Sequence, residues 1–276
     1  MKTHLFNIKM ALMALLLFTA CVSKAQRREL TFKQGDEYNK TTYISAASIL
    51  QRGKQTFNIN TTSSISKTYK VTGITRSGFV LTVTTSHIND TMDAFGKKME
   101  YSSDRPADTS SYIQMALQSL IGKSVTLSID KNGIITDVND PDERYATDTL
   151  LLFAGFKQDQ FITGTRLNLV ADNSEALKAG ASWVSNISSG NEKINTTYTV
   201  SQSTQPDKYT NLMLTSTSSA PEQNSNTNGV LVVDNASDVI LVSSVKTATL
   251  SYKFVNDVTY SFGRRTEVVE NCIKMN

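Results

Sequence analysis

The stretch Val125-Thr126-Leu127-Ser128-Ile129-Asp130-Lys131-Asn132-Gly133-Ile134-Ile135-Thr136-Asp137-Val138 decides how the chain is read. Apolar and small polar residues alternate up to Ile129, four turn-forming residues follow, and a β-branched run returns from Ile134 to Val138. Period-two alternation puts one set of side chains on one face of a strand. Asp, Asn and Gly tolerate the backbone of a tight reversal. The segment is an antiparallel hairpin.

The same pattern recurs outward from it. Upstream it predicts strands at Glu29–Phe32, Lys40–Ile44 (after a turn at Gly35-Asp36), Gln55–Ile59, Ile65–Ile74 and Phe79–Ile88. Downstream it predicts Gly180–Ile187, Lys193–Ser203, Lys208–Ser218, Val230–Asp234, Val239–Leu250 and Tyr252–Phe262, ending in a terminal strand around Val268–Cys272. Residues 219–228, SAPEQNSNTN, read as a mobile polar loop. Residues 107–120, ADTSSYIQMALQSL, break the period: Tyr112, Met115, Ala116 and Leu120 recur at helical spacing, Asp108 or Thr109 caps the start, and Gly122 stops the run. Leu150–Phe156 reads as a short helix or buried turn.

The fold class that follows is mainly β, an antiparallel meander or incomplete barrel with one amphipathic helix near 108–121. Two related β-rich halves, 26–138 and 181–276, flank a connection over 139–180. The relation rests on echoes in order: Gly35-Asp36-Glu37-Tyr38 with Gly180-Ala181-Ser182-Trp183, Thr68-Tyr69-Lys70-Val71 with Thr197-Tyr198-Thr199-Val200, and Leu127-Ser128-Ile129-Asp130 with Leu231-Val232-Val233-Asp234.

Residues 1–25 read as a secretory signal peptide: Lys2 and Lys9, then an apolar run from Met10 to Ala20 of about eleven residues, too short for a span of about twenty. Two processing sites compete. Ser23-Lys24-Ala25 before Gln26 suits ordinary cleavage and is favoured; Phe18-Thr19-Ala20-Cys21 resembles a lipobox, in which Cys21 carries lipid. Cleavage after Ala25 removes Lys2, Lys9 and Lys24 and no acid, so the formal net charge falls from +3 to zero. A neutral chain has no field to gather nucleic acid, and no nucleic-acid partner is expected. The expected location is the periplasm, the outer membrane or the cell surface, with membrane contact only through the Cys21 anchor.

The residue inventory limits the chemistry. His87 and Cys272 are the only histidine and cysteine after Gln26, so a disulfide, a cysteine zinc site and a multi-histidine site are excluded; no cofactor or metal is expected. His87 shares a face with Leu81, Val83 and Thr85 if alternation holds, and no G-x-S-x-G elbow is present. The acidic run Asp137, Asn139, Asp140, Asp142, Glu143 departs from a calcium loop at Pro141. Trp183, Tyr198, Tyr209, Tyr252 and Tyr260 offer either core packing or a sugar platform. Asp90-Thr91-Met92 and Asp148-Thr149-Leu150 match a short O-glycosylation pattern in expected turns, making Thr91 and Thr149 candidate acceptors.

The Ala25-Gln26 junction, the Gly35-Asp36-Glu37-Tyr38 opening and the Gly122-Lys123…Ile129-Asp130-Lys131-Asn132-Gly133 hairpin resemble an uncharacterised family of secreted or lipid-anchored proteins of Bacteroidota. More distantly, a curved sheet with a covering helix is similar to periplasmic lipoprotein carriers, which hold acyl chains in an incomplete barrel. The resemblance implies a non-enzymatic envelope protein binding an apolar ligand or another envelope component, with Tyr112, Met115, Phe79 and Leu81 lining an enclosed apolar face. The alternatives are a structural or interaction protein displaying O-glycans and a glycan-active enzyme using carboxylates.

Overall fold

The computed structural model describes residues 29–94, 96–140, 161–171, 179–189, 191–255 and 258–275. Its strands are β1 (Glu37–Arg52), β2 (Gln55–Ile74), β3 (Gly78–Ala94), β4 (Lys97–Ser102), β5 (Ser124–Asp130), β6 (Ile135–Asn139), β7 (Ser182–Ser189), β8 (Glu192–Ser201), β9 (Tyr209–Ala220), β10 (Gln223–Asp234), β11 (Ile240–Val255) and β12 (Val258–Met275); helix α1 (Tyr112–Gln118) follows β4. They form one 12-stranded sheet in the order β6-β5-β3-β2-β1-β12-β11-β10-β9-β8-β7, with β4 beside β3. The pairings are antiparallel. The sheet is open: β6 and β7 are its ends.

Strands β1 to β6 form one wing of this sheet and β7 to β12 the other, joined where β1 pairs with β12. The chain enters at the centre, meanders out to β6, reappears at the opposite edge in β7 and meanders back. Both wings therefore run across the sheet in the same direction.

A strap over residues 161–171 draws the wings together. It bridges Ile134 through Arg166 and Val239 through Val170. The N-terminal segment makes the same link in less chain: Leu30 N–H donates to Lys131 O at 2.8 Å, and Thr31 Oγ1 donates to Ala236 O at 3.0 Å. In a flat sheet β5 and β11, five strands apart in the order, would lie about 24 Å from each other. Adjacent residues cannot bridge that distance, so the sheet is rolled at this end. Arg166 ties the strap down, donating to Asn132 O and to Ala171 O.

The rolled end is packed. Tyr69, Val71, Leu81, Leu127, Leu167 and Leu169 are fully buried there, and Phe32 lies against Tyr38 and Phe79 at ring separations of 5.6 and 5.4 Å. Lys40 reaches from the sheet to the strap: Nζ lies 2.9 Å from Glu270 Oε1 and donates to Asn168 O at 3.2 Å. Tyr69 O–H donates to Asn168 Oδ1 at 3.2 Å. A second cluster, Ile44, Ile65, Ile88 and Tyr101, lies under α1; a third, Val200, Leu212 and Val233, packs against Ala171 of the strap. At the opposite end lie Arg52 and Gln55, Ala94 and Lys97, Ser189 and Glu192, Ala220 and Gln223, and Val255 and Val258, where the strands end and begin.

Several expectations need correction. Glu29–Phe32 joins no ladder; Leu30 and Phe32 are core plugs instead. The expected loop at 219–228 is the end of β9, a tight turn, and the start of β10, because Ser, Thr and Asn can occupy both faces of a strand exposed to water. The break at Ser251 does not occur, and β11 runs on to Val255. Helix α1 is shorter than read and begins later, with Ser111 as its cap accepting from Gln114 N–H. Its packed stripe is Ile113, Ala116, Leu117 and Leu120: it shares Ala116 and Leu120 with the face read from the sequence and has Ile113 and Leu117 in place of Tyr112 and Met115. The Asp130 turn is as expected: Asp130 Oδ1 accepts from Asn132 and Ile134 N–H, both at 2.8 Å, and Gly133 has φ +80°.

Candidate functional site

The residues expected to line one apolar cavity are not brought together. Phe79 and Leu81 sit in the filled core under the strap. Tyr112 and Met115 point to solvent, 81% and 48% exposed, because the stripe starting at Ile113 faces the sheet. The face beneath α1 is a packed core at these positions.

His87 leaves the face assigned to it. A β-bulge pairs Ser66 with His87 but Lys67 with Thr85, so alternation slips by one residue. Leu81 and Val83 remain inside, and His87 turns outward among polar groups. Ser103 Oγ lies 2.9 Å and Asp104 Oδ1 3.3 Å from the same nitrogen, Nδ1, while Asn89 Nδ2 sits 2.8 Å from Nε2. A proton relay needs its nucleophile and its acid on opposite ring nitrogens. This arrangement orders a loop. Cys272 is a buried strand residue of β12, and burial pushes its thiol up to about 11, away from the reactive range.

Asp90 is buried on the inner face of β3, opposite Ser63. Ser63 Oγ donates to Oδ1, but Oδ2 has no partner. Burial, only partly offset by that hydrogen bond, raises its pKa to about 6. Thr91 therefore lies mid-strand, paired with Thr62 on β2 and Glu100 on β4 rather than in a turn. Thr149, Asp142 and Glu143 lie outside the described residues, as does Leu150–Phe156. Trp183 and Tyr198 stack at 5.3 Å and 15°, while Tyr260 lies under Arg52 and Tyr252 points outward, so the aromatic residues do not form a single platform. Among the described residues no cluster of acids, histidine and cysteine is placed to hold a metal.

The geometry offers a groove that the sequence did not signal. It opens on the outer face, across β12, β1, β2 and β3, with a volume of about 380 Å³. Tyr43 and Val269, direct partners across β1 and β12, are its apolar elements. Thr62, Ser64, Asn89 and Thr91 line the far side, and Glu267 lies on the near rim. Tyr43 is half-exposed on a face otherwise made largely of Ser, Thr and Asn. Tyr43 and Val269 are over two hundred positions apart in the chain, so only the β1–β12 register brings them together.

Residues 76–236 match a family of unknown function, DUF6263. The chain belongs to that family. No curated protein matches it. Among solved structures, it is similar to lipovitellin, in a structure of lipid–protein interactions, at TM-score 0.50 and 12% identity over 89% of this chain. The match covers 26% of lipovitellin, so the chain spans about a quarter of that protein, and the likeness is one of fold alone. An outer membrane channel from Pseudomonas putida F1 aligns at TM-score 0.20 and 6% identity over 91% of this chain and 100% of the channel. OpdQ of Pseudomonas aeruginosa aligns at 0.21 and 7% over 87% and 99%. Scores this low carry no argument.

Proposed function

We infer that this member of DUF6263 is an exported, non-enzymatic protein of the bacterial cell envelope, in a Bacteroidota host, that holds an apolar ligand or an apolar segment of another envelope component. The signal-like residues 1–25 support export, with the chain starting at Gln26 or at a lipidated Cys21. The observation that carries the binding reading is the groove of about 380 Å³ beside Tyr43 and Val269. Ligand sites combine apolar contact with a few polar groups that fix orientation, and the Thr62, Ser64 and Asn89 side supplies those groups. The fold likeness to lipovitellin is compatible with this reading and adds no residue to it.

The test is a native mass spectrum of protein isolated from its own host, repeated after denaturation. Excess mass released by denaturation, and absent from a Val269→Glu variant of unchanged fold, is the expected result. Bare protein in both spectra would remove the ligand reading and leave a structural role. The covalent mass separates a chain starting at Gln26 from one starting at lipidated Cys21.

A further inference from the structure

The two edges of the sheet are finished differently. Strand β6 has five residues, Asp137 among them, and the strap bonds to it: Ile135 N–H donates to Thr165 O and Gly164 N–H donates to Ile135 O, both at 2.8 Å. Strand β7 has eight residues and pairs on one side only, with β8. Val200 N–H donates to Ala181 O, and an antiparallel ladder alternates hydrogen-bonded and non-hydrogen-bonded pairs. Trp183, Ser185 and Ile187 therefore bond to β8, and the backbone groups of Ser182, Val184, Asn186 and Ser188 face outward along the edge.

Natural sheets blunt such an edge with Lys, Pro, a bulge or a very short strand. Strand β7 has none of these: between Ser182 and Ser189 there is no charged residue and no Pro, and its register with β8 runs without a shift. Val184 on the outer face and Ile187 on the inner face are each 56% exposed. The strand is also close to self-complementary about Ser185. Ser182 and Ser188 lie three residues to either side of it; the large apolar Trp183 and Ile187 lie two to either side, both on the inner face. A neutral strand meets its own copy without like-charge repulsion.

We propose that β7 adds to β7 of a second copy of the chain, antiparallel and centred on Ser185, so that two sheets join into one. Centred there, Ser182 and Val184 pair with the partner's Ser188 and the partner's Asn186, and the reverse, forming about eight backbone hydrogen bonds. Moving the centre to Val184 or to Asn186 leaves Ser188 or Ser182 beyond the end of the partner strand. On the inner face Trp183 stands opposite the partner's Ile187 in a non-hydrogen-bonded pair, where side chains approach most closely. Because the two strands run in opposite directions, the rolled ends lie at opposite ends of the joint. Once paired, the β7 edge is used up, and β6 is tied to the strap, so addition stops at two copies. This contact is independent of the groove at Tyr43 and of any lipid on Cys21.

The experiment is sedimentation equilibrium over a concentration series, in a Cys21→Ser background so that no anchor contributes. The mean mass should rise from one copy to two and level there. Val184→Pro with Asn186→Pro removes two outward N–H groups and none from the β8 ladder, and should weaken the dimer at least about tenfold. The register is read with cysteine. Ser185→Cys stands opposite its own copy, at a Cα separation of about 4.5 Å, and should form a disulfide-linked dimer on mild oxidation. Thr197→Cys, exposed on the outer face of β8, should not. Ser185→Cys leaves the backbone intact, so it decides the matter even where the proline variant fails to fold. A single copy at every concentration would overturn the proposal and leave the edge to a strand of another protein. Assembly beyond two copies, an undiminished dimer in a folded Val184→Pro/Asn186→Pro variant, or a dimer that Ser185→Cys does not cross-link would overturn it as well.

Discussion

The same strands behave differently at their two ends. At the rolled end β1, β2 and β12 carry Tyr38, Tyr69, Val71 and Cys272 into a core sealed by the strap and by Leu30 and Phe32. At the hairpin end, on that same face, Leu50, Phe57 and Phe262 of these strands pair side by side and are only half-buried, and on the other face Ile49 and Leu250 meet water. Backbone pairing continues without a break along β1, from Glu37 with Met275 to Arg52 with Tyr260. Hydrogen bonding therefore does not distinguish the ends; buried apolar area does. The rolled end holds most of the fully buried apolar side chains.

The sharpest way to break this comparison is to make one substitution at both ends. Leu81→Ala removes a fully buried side chain and should cost about 3–5 kcal/mol in urea unfolding. Leu250→Ala removes an exposed one and should change stability by less than about 0.5 kcal/mol. Equal losses at the two positions would mean that the hairpin end is covered in solution.

The next largest effect lies between the ends, at Asp90. Its folded pKa of about 6 lies above the ordinary carboxylate value of 3.8, so between these values the folded chain binds more protons than the unfolded one. Stability should fall as pH rises from about 4 to about 6 and stay lowered above that, by up to about 3 kcal/mol. Asp90→Asn keeps the acceptor for Ser63 and cannot ionise. It should be more stable than the parent at pH 7.5, close to it near pH 4, and flat between. Urea midpoints across that range decide it; a parent that gains stability as pH rises through 6 would contradict the buried, half-partnered carboxylate.

The two ends also differ in how legible they are. The Val125–Val138 hairpin reads correctly because its strands bury one face in the core, and burial imposes alternation. The terminal strand at Cys272 is visible for the same reason. Where a strand has water on one side and only half-burial on the other, nothing excludes Ser, Thr or Asn from either face. Residues 219–228 then look like a loop although they form most of a turn and a strand, and β1 extends to Arg52, well past the expected Ile44. The groove was illegible for another reason: Tyr43 and Val269 meet only through the β1–β12 register, a pairing of the two chain termini that no local pattern announces. The bulge at Ser66–Lys67 likewise carries no obvious sequence mark, yet it decides which way His87 points.

The smallest predicted effect concerns the element that divides the packed from the bare part of the sheet. Helix α1 has only seven residues, too few to be stable alone, so it depends on its cap and on Leu117 and Leu120 seated over Ile44, Ile65 and Ile88. Ser111 supplies the cap, accepting from Gln114 N–H, whereas Thr109, also a candidate cap in the sequence, lies two residues too early. Ser111→Ala should cost about 1 kcal/mol, and Thr109→Ala close to nothing. The loss should also be local. Amide exchange should quicken in α1 and in β1–β3 around Ile44, Ile65 and Ile88, while Tyr69, Leu81 and Leu127 keep their protection. Exchange that quickened equally at Leu127 would show that the rolled end and the helix-covered middle unfold as one unit, and the division between them would be one of burial only.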